Sequence, residues 1–409
     1  VNESSNRAAA QALPSTEQLY ASRLCAIAGI AIAALLFLMI SVGVTTTADA
    51  ETLGQNAGNA GQSTRDIPVN IEGTPWDPEM WRYLRSGGAG HSSVPDQKAR
   101  TLIQSSGEQW RVFRVEYLPR YGTWVLTGIC ALLIFFFMVR GRIRIETGFS
   151  QKSILRFGKI DRFAHWLLAV SFLILAITGL NILYGSDVIM PLIGHTRFAK
   201  VAGYAKWLHD FTGFSFIVGL ALVFFLWFRD NIPNRTDLIW LRRGGGLLSK
   251  HEHPPAKRFN AGQKLIFWFV VLAGASTSFS GICLIFPFTF TPFSDTFAAL
   301  NLFGAGLPTD LSPVQEMQLA LAWHGVNGII MIAVIIAHIY IGSIGMEGAV
   351  DAMATGYVDE NWARQHHSVW AAEQVTDIRH SESELLVEGT NSGSVTNNSA
   401  SRQSGRGTP

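Results

Sequence analysis

The sequence predicts an all-α integral membrane protein: a four-helix transmembrane bundle with one or two extra helices on its N-terminal side. Three observations predict it. Apolar residues gather into six blocks, at 24–44, 124–139, 164–184, 211–228, 265–286 and 319–344, most of them close to the roughly 20 residues that cross a hydrocarbon layer. Charged residues make up only 15 % of the 409-residue chain and fall almost wholly between the blocks. A soluble protein of this length would spread its apolar residues through two or three cores instead. Finally, the basic residues are distributed unevenly among the connecting segments.

That unevenness fixes a topology. Segment 140–162 carries Arg140, Arg142, Arg144, Lys152, Arg156, Lys159 and Arg162, and segment 229–264 is similarly basic, whereas 289–318 has no Lys or Arg. Positive charge stays on the cytoplasmic side, so the first two segments face the cytoplasm and the third faces outward. Alternation puts the 185–206 loop outside and everything after residue 345 inside. The basic segments lie next to membrane spans, so topology accounts for them, and no nucleic-acid partner is expected.

Taken in order, residues 1–50 hold a signal peptide or an uncleaved helix. Arg23 precedes the apolar run, and Ala48-Asp49-Ala50 has the small-x-small pattern of a signal-peptidase site. Residues 51–121 form an external segment, and 122–150 an additional span with its cytoplasmic loop. Residues 151–372 form the four-helix domain. The remaining 373–409 read as a disordered cytoplasmic tail, since from Ser381 onward Ser, Asn, Gly and Thr dominate.

The three cysteines, Cys25, Cys130 and Cys283, sit in apolar spans and no CxxC occurs. Disulfide frameworks, iron–sulfur clusters and covalent heme attachment therefore lack their ligands. Histidine is the residue left to hold a cofactor. His165, His209, His324 and His338 lie within or at the ends of apolar blocks, where an ionisable group is costly and needs a partner. The bland account of any one is an interhelical hydrogen bond of about 1 kcal/mol. Four at matching depths favour a cofactor.

In the last block, His324 and His338 are fourteen residues apart, about 21 Å of helical rise. Fourteen steps of about 100° return to within about 40° of the same side. One helix thus offers a ligand to each of two stacked centres. Depth pairs His165 with His338 near the cytoplasmic face and His209 with His324 near the outer face. Two bis-histidine b hemes are expected, since neutral imidazole nitrogen suits iron.

Gly179, Gly213, Gly219, Gly325 and Gly328 either admit a flat macrocycle or serve ordinary close helix packing. Asn260 and Gln263 have capping-box spacing, which starts a helix; beside an inner heme their amides could also hold a quinone carbonyl. His91, His195, His251, His253, His366 and His367 read as solvated or partner-facing.

Several runs together resemble a known family: Ile160-Asp161-Arg162-Phe163-Ala164-His165-Trp166, Asn231-Ile232-Pro233 with Asp237 and Trp240-Leu241, Asn260-Ala261-Gly262-Gln263-Lys264 with Phe267-Trp268, His324, His338-Ile339-Tyr340, and Trp362-Ala363 leading to His366-His367. From about residue 153 to 370 the chain resembles the cytochrome b subunit, called gamma, of membrane-bound respiratory formate dehydrogenase. The first 150 residues depart from that compact four-helix form. The resemblance implies a multi-pass protein of the bacterial inner membrane with the four histidines as heme ligands and Asn260 and Gln263 at a quinone pocket. It also implies an iron–sulfur beta subunit and a molybdenum- or tungsten-containing alpha subunit on the outer side. Formate would be oxidised in that alpha subunit, with no catalytic residue in this chain, and electrons would cross to ubiquinone or menaquinone. The alternatives are the cytochrome b of a quinone-linked uptake hydrogenase or related reductase, and a heme-free anchor or transporter using the histidines as hydrogen bonds or a proton path.

Overall fold

The computed structural model describes residues 107–246 and 252–376, with the backbone of two short paired strands, Gly90–His91 and Thr101–Ile103. The 24–44 block, the 48–50 motif and the tail beyond 376 lie outside the described residues.

Five described helices are long and apolar enough to cross a membrane. Helix α1 runs from Gly107 to Arg140 with a π-helical turn at Phe113–Tyr117. It is followed by α2 (Lys159–Val188), α3 (His195–Trp227), α4 (Ala261–Ile285) and α5 (Pro313–Tyr340), the last extended by a π-helical turn to Gly345. The all-α membrane bundle is the fold the apolar blocks predict.

Local chemistry sets the helix starts. Asn260 accepts a hydrogen bond from the Gln263 N–H (2.9 Å) while Gln263 Oε1 accepts from the Asn260 N–H (3.1 Å), satisfying two orphan donors of α4. Ser312 and Gln315 do the same for α5, with Pro313 at its first position.

The helices outrun their apolar blocks. At 33 residues α3 is about 50 Å long, more than the ~30 Å hydrocarbon layer. The segment expected as an external loop at 185–206 is therefore mostly helix, and Arg197, Lys200 and Lys206 are exposed on it. Hydropathy marks where the membrane stops, while the backbone ladder continues into water.

Helices α2 and α3 cross closely. A Cβ on Gly219 would meet the Leu168 backbone at 2.9 Å, so this crossing requires glycine. Helix α1 docks on α2 and α5 through Leu118, Gly122, Leu126 and Cys130, all buried at intervals of four. Tyr184 donates from its hydroxyl to the Pro119 carbonyl at 3.0 Å. The opposite face, with Trp124, Phe135 and Met138, is exposed and fits lipid.

A cytoplasmic cap closes the inner end. Strand Ser153–Leu155 pairs antiparallel with Tyr357–Asp359 (Ile154 opposite Val358), and Ile143 bridges to Met346. Phe157, Phe259, Val358, Trp362 and Trp370 are buried in one cluster with the inner ends of α2 and α3. Sequence alone leaves this stretch as loop and tail, because its order depends on aromatic contacts between three distant segments.

A Cβ at residue 122 would lie 2.6 Å from Tyr184 Oη and 2.7 Å from Ile329 Cδ1. Gly122→Leu is expected to destabilise by about 1–3 kcal/mol, as overpacking does, and to lower the thermal midpoint in detergent. An unchanged midpoint would mean that α1 does not dock on this face.

Candidate functional site

Two pairs of imidazoles face each other inside the bundle, one above the other. His165 of α2 and His338 of α5 have ring centres 6.4 Å apart, and His209 of α3 and His324 of α5 have ring centres 6.1 Å apart. Helix α5 contributes to both pairs because its histidines lie fourteen residues apart on one side.

The outer pair is held by neighbours on both flanks. His209 Nδ1 lies 2.9 Å from Thr178 Oγ1, and His324 Nδ1 lies 3.0 Å from Ser280 Oγ and 3.1 Å from the Thr277 carbonyl. Each ring also rests on a glycine: a Cβ at Gly179 would stand 3.3 Å from His209 Cε1, and one at Gly281 would stand 3.2 Å from His324 Cε1. The inner pair is aromatic instead. His165 packs against Trp166 and Trp227 at 5.5 and 6.3 Å, and its Nδ1 is buried without a hydrogen-bond partner. Trp227 is itself fixed by donating from Nε1 to Asp161 Oδ1 at 2.7 Å.

This donor set fits a metal between the rings. Imidazole nitrogen binds a first-row metal at about 2.0–2.1 Å, so two such bonds and two half-rings span about 6 Å. With Nδ1 engaged on His209 and His324, Nε2 is the atom left to face a metal.

The glycines divide. Gly219 and Gly325 serve helix packing, against Leu168 and Leu118 respectively, and Gly179 supports the His209 ring. A Cβ on Gly213 or Gly328 would meet nothing within 4 Å. Sequence alone does not point to Gly281, Thr178, Ser280 or Thr277; Thr178-Gly179 and Ser280-Gly281 share only a hydroxyl residue followed by glycine within an apolar span.

Below the inner pair, Asn260 and Gln263 form the capping box described above, which occupies Asn260 Oδ1 and Gln263 Oε1. Arg156, 3 % exposed, reaches Gln263 Oε1 at 3.5 Å and donates to the Arg258 carbonyl at 2.7 Å. Its guanidinium sits over Trp362 at 5.0 Å, with Phe157 and Trp370 at 5.4 Å. Burial, with Arg258 nearby, lowers its pKa to about 9, so it stays charged at neutral pH. The family-like runs also interlock here: Lys264 donates to the Ile232 carbonyl and Asp237 Oδ2, both at 2.9 Å, and Trp268 donates to the Asn231 carbonyl at 3.0 Å.

The structure corrects the reading of His366 and His367 as solvated: His366 Nε2 is buried, and His367 is buried more fully. It is 1 % exposed, donates from Nδ1 to the Lys257 carbonyl at 2.7 Å, and accepts from Arg156 Nη2 at 3.0 Å on Nε2. Its burial follows from Trp362 and Trp370, which draw the segment onto the cap. His195 is exposed as expected, at the start of α3, and His251 lies outside the described residues.

Residues 156–356 match the prokaryotic cytochrome b561 family. The chain is a membrane cytochrome b, similar to this family from the start of α2 to the cytoplasmic cap. The cytochrome is also similar to the formate dehydrogenase cytochrome b556(fdo) subunit of Escherichia coli K12, 27 % identical over 224 residues covering 54 % of this chain and 94 % of that subunit. The nitrate-inducible formate dehydrogenase cytochrome b556(Fdn) subunit of the same organism is 27 % identical over 227 residues, with 55 % and 93 % covered. The Haemophilus influenzae formate dehydrogenase cytochrome b556 subunit is 25 % identical over 242 residues, with 58 % and 90 % covered. The family implies heme b.

One pH dependence follows from the cap of this cytochrome. Burial, then His253 and Arg156 nearby, lowers the His366 pKa from 6.5 to about 4. Between those values the unfolded chain binds a proton that the folded chain refuses, so stability falls as pH drops from about 6.5 towards 4. The loss from His366 is about 3 kcal/mol at most. Melting curves should show this slope in the wild type and a shallower one in His366→Gln; identical slopes would remove His366 as its source.

Proposed function

We propose that this chain is the membrane subunit of a quinone-linked formate dehydrogenase, holding two b hemes and delivering electrons from outside the cytoplasm to membrane quinone. The observation that carries this reading is the facing imidazole pair at each end of the bundle. His209 and His324 would hold the outer heme, and His165 and His338 the inner heme. Bound there, each heme supplies a one-electron carrier.

The protein's own residues do the rest. Helix α5 carries one ligand for each site and so sets their separation, about 21 Å along its axis. Thr178, Ser280, Gly179 and Gly281 hold the outer rings in place. Trp166 and Trp227 shield the inner ring from water. Asn260 and Gln263 keep their amide NH₂ groups outside the capping box, free to donate to a quinone carbonyl. Quinone takes two electrons and two protons to become quinol, and at this depth the protons come from the cytoplasm.

The names of the relatives support a formate dehydrogenase as the complex; in this reading an iron–sulfur beta subunit would be the donor and a molybdenum- or tungsten-containing alpha subunit would oxidise formate. No formate-oxidising residue is assigned to this chain. The heme domain is 151–372, with α1 as an additional span packed against it. Moving an electron inward opposes a negative-inside potential by roughly 2.3 kcal/mol per 100 mV, which a strongly reducing donor overcomes. Formate oxidised outside and quinone protonated from inside would together build protonmotive force.

Two outcomes test this reading. His165→Ala or His338→Ala should leave one heme per chain and abolish quinone reduction, while formate oxidation with an artificial acceptor persists in the complex; two hemes in both variants would reject the ligand assignment. Asn260→Ser keeps a good helix cap but removes the amide. It is expected to raise the KM for quinone with both hemes in place, and an unchanged KM would remove Asn260 from the quinone pocket.

A further inference from the structure

The outer histidines are held by the same device twice. On α2, Thr178 and Gly179 meet the His209 ring; on α4, Ser280 and Gly281 meet the His324 ring. In each case the hydroxyl residue contacts Nδ1 and the glycine that follows it lies under Cε1.

A backbone carbonyl can only accept, and each outer ring has one, Leu175 for His209 and Thr277 for His324, so both rings carry their proton on the side that faces the hydroxyl. Thr178 Oγ1 donates to the Ile174 carbonyl at 2.7 Å, and Ser280 Oγ donates to the Thr277 carbonyl at 2.9 Å. Neither oxygen has a proton left for the imidazole, so each accepts from Nδ1–H. Each ring thus has a second acceptor beside the hydroxyl, the Thr277 carbonyl at 3.1 Å for His324 and the Leu175 carbonyl for His209. Both outer rings are thereby fixed as the Nδ1–H tautomer, with the Nε2 lone pair free.

The inner site is built differently. His165 Nδ1 is buried and has no acceptor. One turn before it, Arg162 donates to the carbonyls of Met353 and Thr355 at 3.2 and 2.8 Å and to that of Ala354, which fixes a cation at this end of the bundle. An acceptor on the remote N–H makes an imidazole a stronger donor to its metal, and this favours the oxidised iron. A fixed cation favours the reduced iron. Both differences point the same way.

We propose that Thr178 and Ser280 are positioning residues that fix the outer histidines and hold the outer heme at a lower reduction potential than the inner one. Transfer of one electron from the outer to the inner site would then run downhill, with no bond made or broken. The inference rests on the reading of the four histidines as heme ligands.

The test is a spectroelectrochemical titration of the purified chain, with hemes counted by pyridine hemochrome. His209→Ala and His338→Ala identify which of the two midpoints belongs to which site. The outer midpoint is expected to be the lower. Thr178→Val, nearly isosteric, is expected to raise it by about tenfold in the reduction equilibrium, about 59 mV for one electron, and leave the inner midpoint in place. Thr178→Ser should restore the wild-type value. Ser280→Ala should shift the outer midpoint in the same direction as Thr178→Val, since at each ring one hydroxyl is lost and one carbonyl remains. An outer midpoint that is the higher, one unmoved by Thr178→Val with both hemes bound, or equal shifts at both sites would overturn the proposal. Two hemes retained in His209→Ala would instead overturn the ligand reading beneath it.

Discussion

The bundle is arranged around four imidazoles set within its membrane-spanning helices. An unpaired ionisable group in hydrocarbon is costly, and here four are brought into two facing pairs with ring centres 6.1 and 6.4 Å apart. A heme held between each pair, as proposed, would remove that cost by taking the nitrogen lone pairs. Helix α5, which serves both pairs, is the element the others must fit. Helices α2 and α3 supply its partners, α4 supplies the hydroxyl and carbonyl that steady His324, and α1 packs along the outside.

The two ends of the bundle have different chemistry. The outer pair has hydroxyls on Nδ1, glycines under the rings, and the Lys206–Asp210 ion pair beside His209. The inner pair has tryptophans, an unpartnered Nδ1, and the cytoplasmic cap with Arg156 and His367 at its centre. Such an asymmetry suits a one-way conductor better than a symmetric anchor. It also explains why residues 346–371 fold back onto the bundle: Trp362 and Trp370 cover a buried guanidinium that lies 3.5 Å from Gln263.

Much of this was legible in the sequence because membranes simplify the code. An apolar background makes each histidine conspicuous, helical rise converts fourteen residues into a known height, and loop charge sets orientation. The capping box at Asn260 and Gln263 was readable for a similar reason, being local. What was not legible depends on tertiary contact. Thr178 and Ser280 look like ordinary small residues until His209 and His324 are seen against them. His367 looks like a solvated tail residue until Trp362 and Trp370 bury it. Hydropathy also cannot show that α3 continues well beyond the membrane, because exposed Arg197 and Lys200 read as loop.

The central claim is that this chain holds two b hemes on four histidines. The most direct measurement is the dithionite-reduced minus oxidised spectrum of the purified chain, with heme counted per polypeptide by pyridine hemochrome. The account predicts b-type absorbance and two hemes per chain. One heme would mean that one facing pair has another purpose, and no heme would contradict the account altogether.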